Sequence, residues 1–357
     1  MKAWILDKPG GNFRFEEMKT ISPPPGGITV RMNAVPLLSY LGQFVRGELP
    51  GYKPATQPFT PGTNGIGTVE AIGDGVYHLL TGDRVAVNPF FVVNEIAANP
   101  EQALIGLTQI SPNSAALMSD WPHGTLREQA VFPASCIVPL HKLDNYSASR
   151  LATLGKFIVP FGGLRKGDLK AGETLVVHGA TGYFGSGAVL LGLAMGASKV
   201  VAAGRNETVL AELANLGTGR VVPVTMSGDI AKDTASLKYA AGNNGFDMAF
   251  DIVGHAESAN GTMAALKSLR RGGRLILMGS MNVNMPIDYN EVMLNDWKIV
   301  GQFMYDRKAY PSLLDLVRAK LLDLDKVDVA TFELSDLNQA MDNAASMRGM
   351  QCTVVKL

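Results

Sequence analysis

Val176-Val-His-Gly179-Ala180-Thr181-Gly182-Tyr183-Phe184-Gly185 reads as the end of a buried strand, a tight Gly-rich turn and the start of a helix. The strand begins at Glu173, and a nearly all-apolar helix follows to Met195. The turn spells A-x-G-x-x-G, one substitution from the fingerprint of a dinucleotide-binding turn. Ala180 is small enough for the turn, Gly182 lets the backbone approach a pyrophosphate, and Gly185 lets the helix pack on its strand. The helix N-terminus adds free N–H groups and the positive end of its dipole. A Gly-rich turn with packing duties only is the competing reading. The strand-turn-helix context favours a cofactor cradle formed by Gly179, Ala180, Thr181, Gly182, Tyr183, Phe184 and Gly185.

Outward from this turn the pattern repeats. Strands are predicted at Lys199–Ala203, Val221–Val224, Asp247–Asp251 and Arg274–Met278, alternating with helices at Glu207–Leu216, Thr234–Ala241 and Ser258–Leu269. Strands alternating with helices at this spacing imply βαβ units and a parallel sheet. Residues 1 to about 150 differ, with short β-like runs such as Ile28–Met32, Gly67–Ile72 and Asp83–Val87 broken by Pro and Gly. A helix at Tyr310–Leu322 and a last strand at Cys352–Lys356 close the chain.

Composition bounds the function. The 357 residues suit about two domains. Lys+Arg and Asp+Glu both number 32, so no global field draws the chain to nucleic acid or to an anionic membrane. The apolar run Gly187–Ala197 is too short to span a bilayer. Two cysteines, Cys136 and Cys352, cannot frame a Cys-rich zinc lobe, and a reducing, cytoplasmic setting is expected.

The end of the strand after the turn selects the cofactor. An NAD site presents Asp or Glu there to the ribose 2′-OH. Here stand Gly204, Arg205 and Asn206, with no carboxylate before Glu207. Gly204 leaves room and Arg205 offers a planar fork for a 2′-phosphate, so NADP(H) is expected. The alternative is an Arg205 that simply faces solvent.

With these residues in view the chain resembles the medium-chain dehydrogenase/reductase superfamily, which includes alcohol dehydrogenases and quinone or enoyl reductases. The resemblance rests on Pro61-Gly62-Thr-Asn-Gly-Ile-Gly67, Gly82-Asp-Arg-Val85, Gly124-Thr-Leu-Arg-Glu-Gln129, the A-x-G-x-x-G turn, Asp247 to Gly254, and Gly272-Gly-Arg-Leu-Ile-Leu-Met-Gly279. It implies an α/β chain in which a Rossmann cofactor domain, 156–299, is inserted into a β-rich GroES-like catalytic domain, 1–155 and 300–357. It also implies a homodimer joined around the apolar stretch Gly279–Val300. Where zinc-dependent members hold metal ligands or their neighbours, this chain has Leu38, Thr63-Asn64 and Gly155, and Phe90–His123 replaces the four-Cys lobe. That set cannot hold Zn²⁺, which prefers four N, S or O ligands.

Without a metal, a donor must meet the negative charge that builds on oxygen during hydride transfer. The match puts Tyr40 at the proton-relay position of zinc members, with Ser39 beside it. A half-buried structural aromatic is the other reading of Tyr40. Asn64 and Lys156 are weaker polar candidates, Lys156 doubling as a helix-surface lysine. The strand ends Ile252-Val253-Gly254 and Gly279-Ser280-Met281 should frame the cofactor. Phe303 walls the nicotinamide or packs in the core, and Phe90, Phe91, Met118 and Trp121 line a substrate pocket or form the core of a long loop. The expected activity is zinc-independent, NADPH-dependent reduction of an activated C=C in an enone, quinone or enoyl-type substrate. A zinc-free alcohol dehydrogenase or carbonyl reductase, and a catalytically silent NADPH-binding protein, are the alternatives.

Overall fold

The computed structural model describes residues 1–217, 219–242 and 244–357. The chain separates into two compact units: Met1–Gly155 with Val327–Met347 and Cys352–Leu357, and Lys156–Lys326 with Arg348–Gln351.

In the first unit, β1 (Lys2–Leu6) pairs antiparallel with β2 (Phe13–Glu17). Next come β3 (Gly27–Pro36), α1 (Leu41–Val45), β4 (Gly65–Ile72) and β5 (Arg84–Val87). β6 (Phe90–Val93), β7 (Glu101–Leu104), β8 (Thr108–Gln109) and α2 (Ala115–Asp120) follow. β9 (Gln129–Pro133), β10 (Ile137–Pro139) and α3 (Ala148–Ala152) complete this stretch. The main sheet runs β10-β5-β4-β3 and continues into the late strands Gln351–Lys356 and Asp328–Glu333, with β9 also on β3. Alternation puts Ile28, Val30 and Met32 of β3 in the core, where Ile66, Val85 and Phe132 are also fully buried. The segment replacing the zinc lobe is not a long loop. β6, β7 and β8 form a three-stranded sheet, and Met118 of α2 is buried among the first unit's core residues. Phe91 and Trp121 meet edge-on, their centroids 6.5 Å apart.

The second unit holds the parallel sheet. Its elements are α4 (Leu154–Lys166), in whose first turn the division between units falls, β11 (Thr174–His178), α5 (Tyr183–Ala194) and β12 (Lys199–Gly204). α6 (Glu207–Ala214), β13 (Val221–Thr225), α7 (Ile230–Ala241), β14 (Phe246–Asp251) and α8 (Asn260–Lys267) follow. β15 (Leu269–Leu277), α9 (Tyr289–Leu294), β16 (Lys298–Gly301) and α10 (Ala309–Arg318) end it. Strand order is β13-β12-β11-β14-β15-β16, all parallel. Helices cover a sheet of this kind on both faces, so its central strands read as unbroken apolar runs; Val200–Ala203 are wholly buried. The order reverses between β11 and β14, and ligands of such sheets bind at the carboxyl ends beside that reversal.

The expected return to the first unit at residue 300 is corrected to Val327. Residues 304–312 are held on α4: Arg165 Nη1 donates to Ser312 Oγ at 2.8 Å, and a side chain at Gly162 would overlap Met304 and Tyr305. Such tertiary bonds have no signature in local composition.

Candidate active site

The Gly-rich turn closes β11 and opens α5. Gly179 takes φ +87°, a left-handed conformation that favours glycine. The N–H groups of Gly179 and Ala180 both donate to Ala203 O at 3.1 Å, tying the turn to the end of β12. A Cβ on Gly185 would overlap the Gly179 carbonyl oxygen and lie 2.9 Å from Ala180 Cα. Gly182 is different: a Cβ there meets nothing nearer than Gly179 O at 3.4 Å. It precedes α5, whose first turn has no side-chain cap. Orphan N–H groups at an open glycine, on a helix start, form a cradle that fits a pyrophosphate.

Three strand ends knit beside the turn. Ile252 N donates to His178 O at 3.1 Å, Gly279 N to Asp251 O at 3.1 Å, and Ser280 N to Val253 O at 3.1 Å. Ser280 Oγ donates to Gly254 O at 3.0 Å, and a side chain at Gly279 would sit 2.9 Å from Val253 N. Ile252, Val253, Gly254, Gly279 and Ser280 are thus brought together, with half-buried Met281 next in the chain. Phe303 is 59% exposed, which rules out its core-packing reading.

At the end of β12, Arg205 is exposed and makes no ion pair among the described residues. One neighbour differs from expectation. A Cβ on Gly204 would lie 2.7 Å from Thr181 Cγ2, so Gly204 makes room for Thr181 rather than for a phosphate. Asn206 is the N-cap of α6, its Oδ1 accepting from Val209 N at 3.1 Å, which orients the side chain and leaves its Nδ2 donor outside the cap.

Two networks escaped the sequence reading. His178 Nδ1 lies 2.9 Å from Asp251 Oδ2, across the strand-order reversal. Asp251, 1% exposed, also accepts from Thr262 Oγ1 at 2.5 Å and from Val253 N at 3.1 Å. The pair is a positioning device that fixes the 251–254 turn against Gly179. Its signal was a polar residue ending each of two adjacent apolar strands. Lys156 is no helix-surface lysine: it is fully buried, its Nζ donating to Tyr183 O at 2.6 Å, Gly349 O at 2.8 Å and Gln351 O at 3.4 Å. Ser186 Oγ also donates to Gly349 O, and Gly349 N to Thr181 O at 3.0 Å. Lys156 thereby clamps residues 348–351 onto the Gly-rich turn.

In the first unit, Tyr40 immediately precedes α1, with Ser39 half-buried beside it. Burial holds the Tyr40 phenol well above its usual pKa of 10, and the Tyr52 hydroxyl acts in the same direction. Their rings are 5.9 Å apart. Tyr40 is therefore a hydrogen-bond donor at neutral pH and not a base. Thr63 and Asn64 are buried, and the Asn64 Nδ2 amide has no hydrogen-bond partner among the described residues. Gly155 adjoins it: a Cβ there would be 3.3 Å from Asn64 Cβ and 3.0 Å from Pro36 Cγ. Gly155 and Asn64 thus meet in space, and Leu38, Thr63, Asn64 and Gly155 together bring no thiolate, imidazole or carboxylate. Among the described residues no three His, Cys, Asp or Glu side chains gather as a metal-binding group. The donor set does not fit Zn²⁺.

The fold matches that of known proteins along the whole chain. The family model described as alcohol dehydrogenase GroES-like domain matches residues 24–142, and that described as zinc-binding dehydrogenase matches residues 184–319. An alcohol dehydrogenase of Moraxella sp. (strain TAE123) is 28% identical over 344 residues, covering 96% of this chain and 95% of the relative. A sorbitol dehydrogenase of Arabidopsis thaliana is 25% identical over 349 residues, 97% and 92% of the two chains. The crystal structure of 2R,3R-butanediol dehydrogenase from Bacillus subtilis superposes with a TM-score of 0.82 at 20% identity, covering 100% of this chain and 99% of that one. The chain belongs to the medium-chain dehydrogenase/reductase superfamily, and it is an oxidoreductase with a GroES-like domain and a Rossmann-type sheet. No helix among the described residues is long and apolar enough to cross a membrane.

Proposed function

We propose that this protein is a zinc-independent, NADP(H)-dependent dehydrogenase that interconverts an alcohol and its ketone or aldehyde. The relatives' names support C–OH/C=O chemistry over the C=C reduction expected from sequence, since they are alcohol, sorbitol and butanediol dehydrogenases. One observation carries the metal-free part: the buried, partnerless Asn64 amide beside Gly155, where zinc members hold ligands. A buried donor without an acceptor costs about 1–3 kcal/mol, which a substrate oxygen would relieve.

A bound nicotinamide supplies the hydride for reduction and accepts it for oxidation. Gly182 and the start of α5 would hold its pyrophosphate, and Arg205 would hold its 2′-phosphate. On reduction, the C=O π electrons move to oxygen as hydride reaches carbon. Asn64 Nδ2 and the Tyr40 hydroxyl donate to that oxygen, and Tyr40, with Ser39 beside it, passes on the proton that completes the alcohol. The balance is ketone plus NADPH plus a proton giving alcohol plus NADP⁺. A reducing, cytoplasmic setting is proposed because the sequence carries only two cysteines, Cys136 and Cys352, both buried. A homodimer is proposed through β16, an edge strand beside exposed Tyr289, Met293 and Leu294.

The test is an NADPH- and NADH-depletion screen over ketones, aldehydes and enones, with product and metal analysis. Alcohol products, NADPH preference and zinc-free protein are expected, with activity untouched by chelator. Saturated ketones from enones would restore the C=C reading. One zinc per chain would overturn the ligand argument, and absence of turnover with intact NADPH binding would mark a silent protein.

A further inference from the structure

We infer that the first unit carries a second small-molecule site, a cavity in which Arg127 anchors the carboxylate of a small hydroxy acid. The cavity holds about 380 Å³ and its walls include Ile21, Pro24, Trp121, His123, Arg127 and Gln129. None of Ser39, Tyr40, Asn64 or Gly155 lines it.

Arg127 is 2% exposed and faces no carboxylate within ion-pair distance among the described residues. Its Nε is buried without a partner, and its Nη2 reaches only Met1 Sδ, a weak acceptor, at 3.7 Å. Buried charges are ordinarily paired, because an isolated one forfeits its hydration with nothing in return. Burial accordingly lowers the Arg127 pKa to about 10.

The neighbours define what would pair with it. Gln129 and Val131 are alternate residues of β9 and share the face that lines the cavity, and Arg127, just before the strand, lines it too. Gln129 Nε2 donates to Glu70 Oε2 at 2.6 Å, which fixes the amide and leaves Oε1 buried with no donor. The site thus presents a cation and a bare acceptor side by side. His123 Nδ1 accepts from Thr60 N at 3.2 Å, which puts the imidazole proton on Nε2 and adds a neutral donor. Carboxylate oxygens satisfy Arg127, a hydroxyl satisfies Gln129 Oε1, and an apolar body packs on Ile21, Pro24 and Trp121. That describes a 2-hydroxy carboxylate with a hydrocarbon or aromatic substituent.

The probe is mandelate, titrated calorimetrically into the full-length protein without cofactor, with methyl mandelate as the uncharged control. Saturable one-to-one mandelate binding that raises the melting temperature is expected, with the ester at least tenfold weaker. Arg127→Met should weaken mandelate at least tenfold, leave NADPH affinity unchanged, and melt no lower than the parent without ligand, because it removes an unpaired buried charge. Ser22→Trp, on the exposed rim of the cavity, should also lose mandelate, and it tests the site if Arg127→Met fails to fold. No saturable mandelate binding, equal binding of the ester, or full affinity in either variant would overturn the assignment.

Discussion

Gly182 and Gly185 are three residues apart in one turn, yet the structure gives them opposite consequences on substitution. In Gly185→Ala, the new methyl overlaps the Gly179 carbonyl oxygen and lies 2.7 Å from Gly179 C and 2.9 Å from Ala180 Cα. All three are backbone atoms of the turn and cannot rotate aside. Overpacking of this kind costs about 1–3 kcal/mol, so the melting temperature should fall and NADPH affinity with it. In Gly182→Ala, the methyl meets only Gly179 O at 3.4 Å, an ordinary contact. The backbone there, φ −79° and ψ 171°, is extended and open to alanine, and the expected stability loss is about 1 kcal/mol or less. The methyl instead stands where a pyrophosphate would meet the first N–H groups of α5. Losing one charge-assisted hydrogen bond costs about 1.5–3 kcal/mol, or roughly 10–150-fold in Kd. Nicotinamide fluorescence titration beside thermal melts separates the cases. Gly182→Ala should melt near the parent yet bind NADPH at least tenfold more weakly, whereas Gly185→Ala should lose both. Parental NADPH affinity in Gly182→Ala would refute the placement of the pyrophosphate.

Arg205→Ala should weaken NADPH by roughly 10–150-fold and NADH little, the gap shrinking in high salt because Arg205 is exposed; equal losses, or a parent preferring NADH, would show that it does not meet the 2′-phosphate. Tyr40→Phe should lower turnover by about 10²–10⁴ with cofactor affinity kept, and because burial raises the phenol pKa, no limb of the parent's pH–rate profile between pH 6 and 9 should disappear in the variant. Sedimentation at micromolar concentration should show a homodimer that Met293→Lys dissociates; a parent monomer would refute the β16 edge as its seam. The pKa of His123 is lowered to about 4 by burial and then by Arg127, so the unfolded chain takes up this proton first as pH falls. Its stability contribution is whole above about pH 6.5 and is lost toward pH 4, by at most about 3 kcal/mol and less where water screens the partly exposed ring. Urea titrations at pH 7 and 4.5 should show a smaller pH effect in His123→Gln than in the parent.

What was legible in the sequence was whatever depends on neighbours along the chain. The βαβ rhythm, the Gly-rich turn and the missing carboxylate before Glu207 all sit within a few residues of one another, where periodicity and turn chemistry act. What escaped depends on residues that meet only after folding. Lys156 reads as a surface lysine because its acceptors Gly349 and Gln351 lie 193 and 195 residues away. Gly204 looked like space for a ligand until Thr181 filled it. With that space taken, the proposed preference for a 2′-phosphate rests chiefly on Arg205, which raises the stake on that residue. The same logic explains why Asn64 ranked low: a lone amide carries no motif, and its weight comes from being buried without a partner beside Gly155. An unsatisfied donor is a property of the folded chain, and the proposed metal-free reading of this site rests on it.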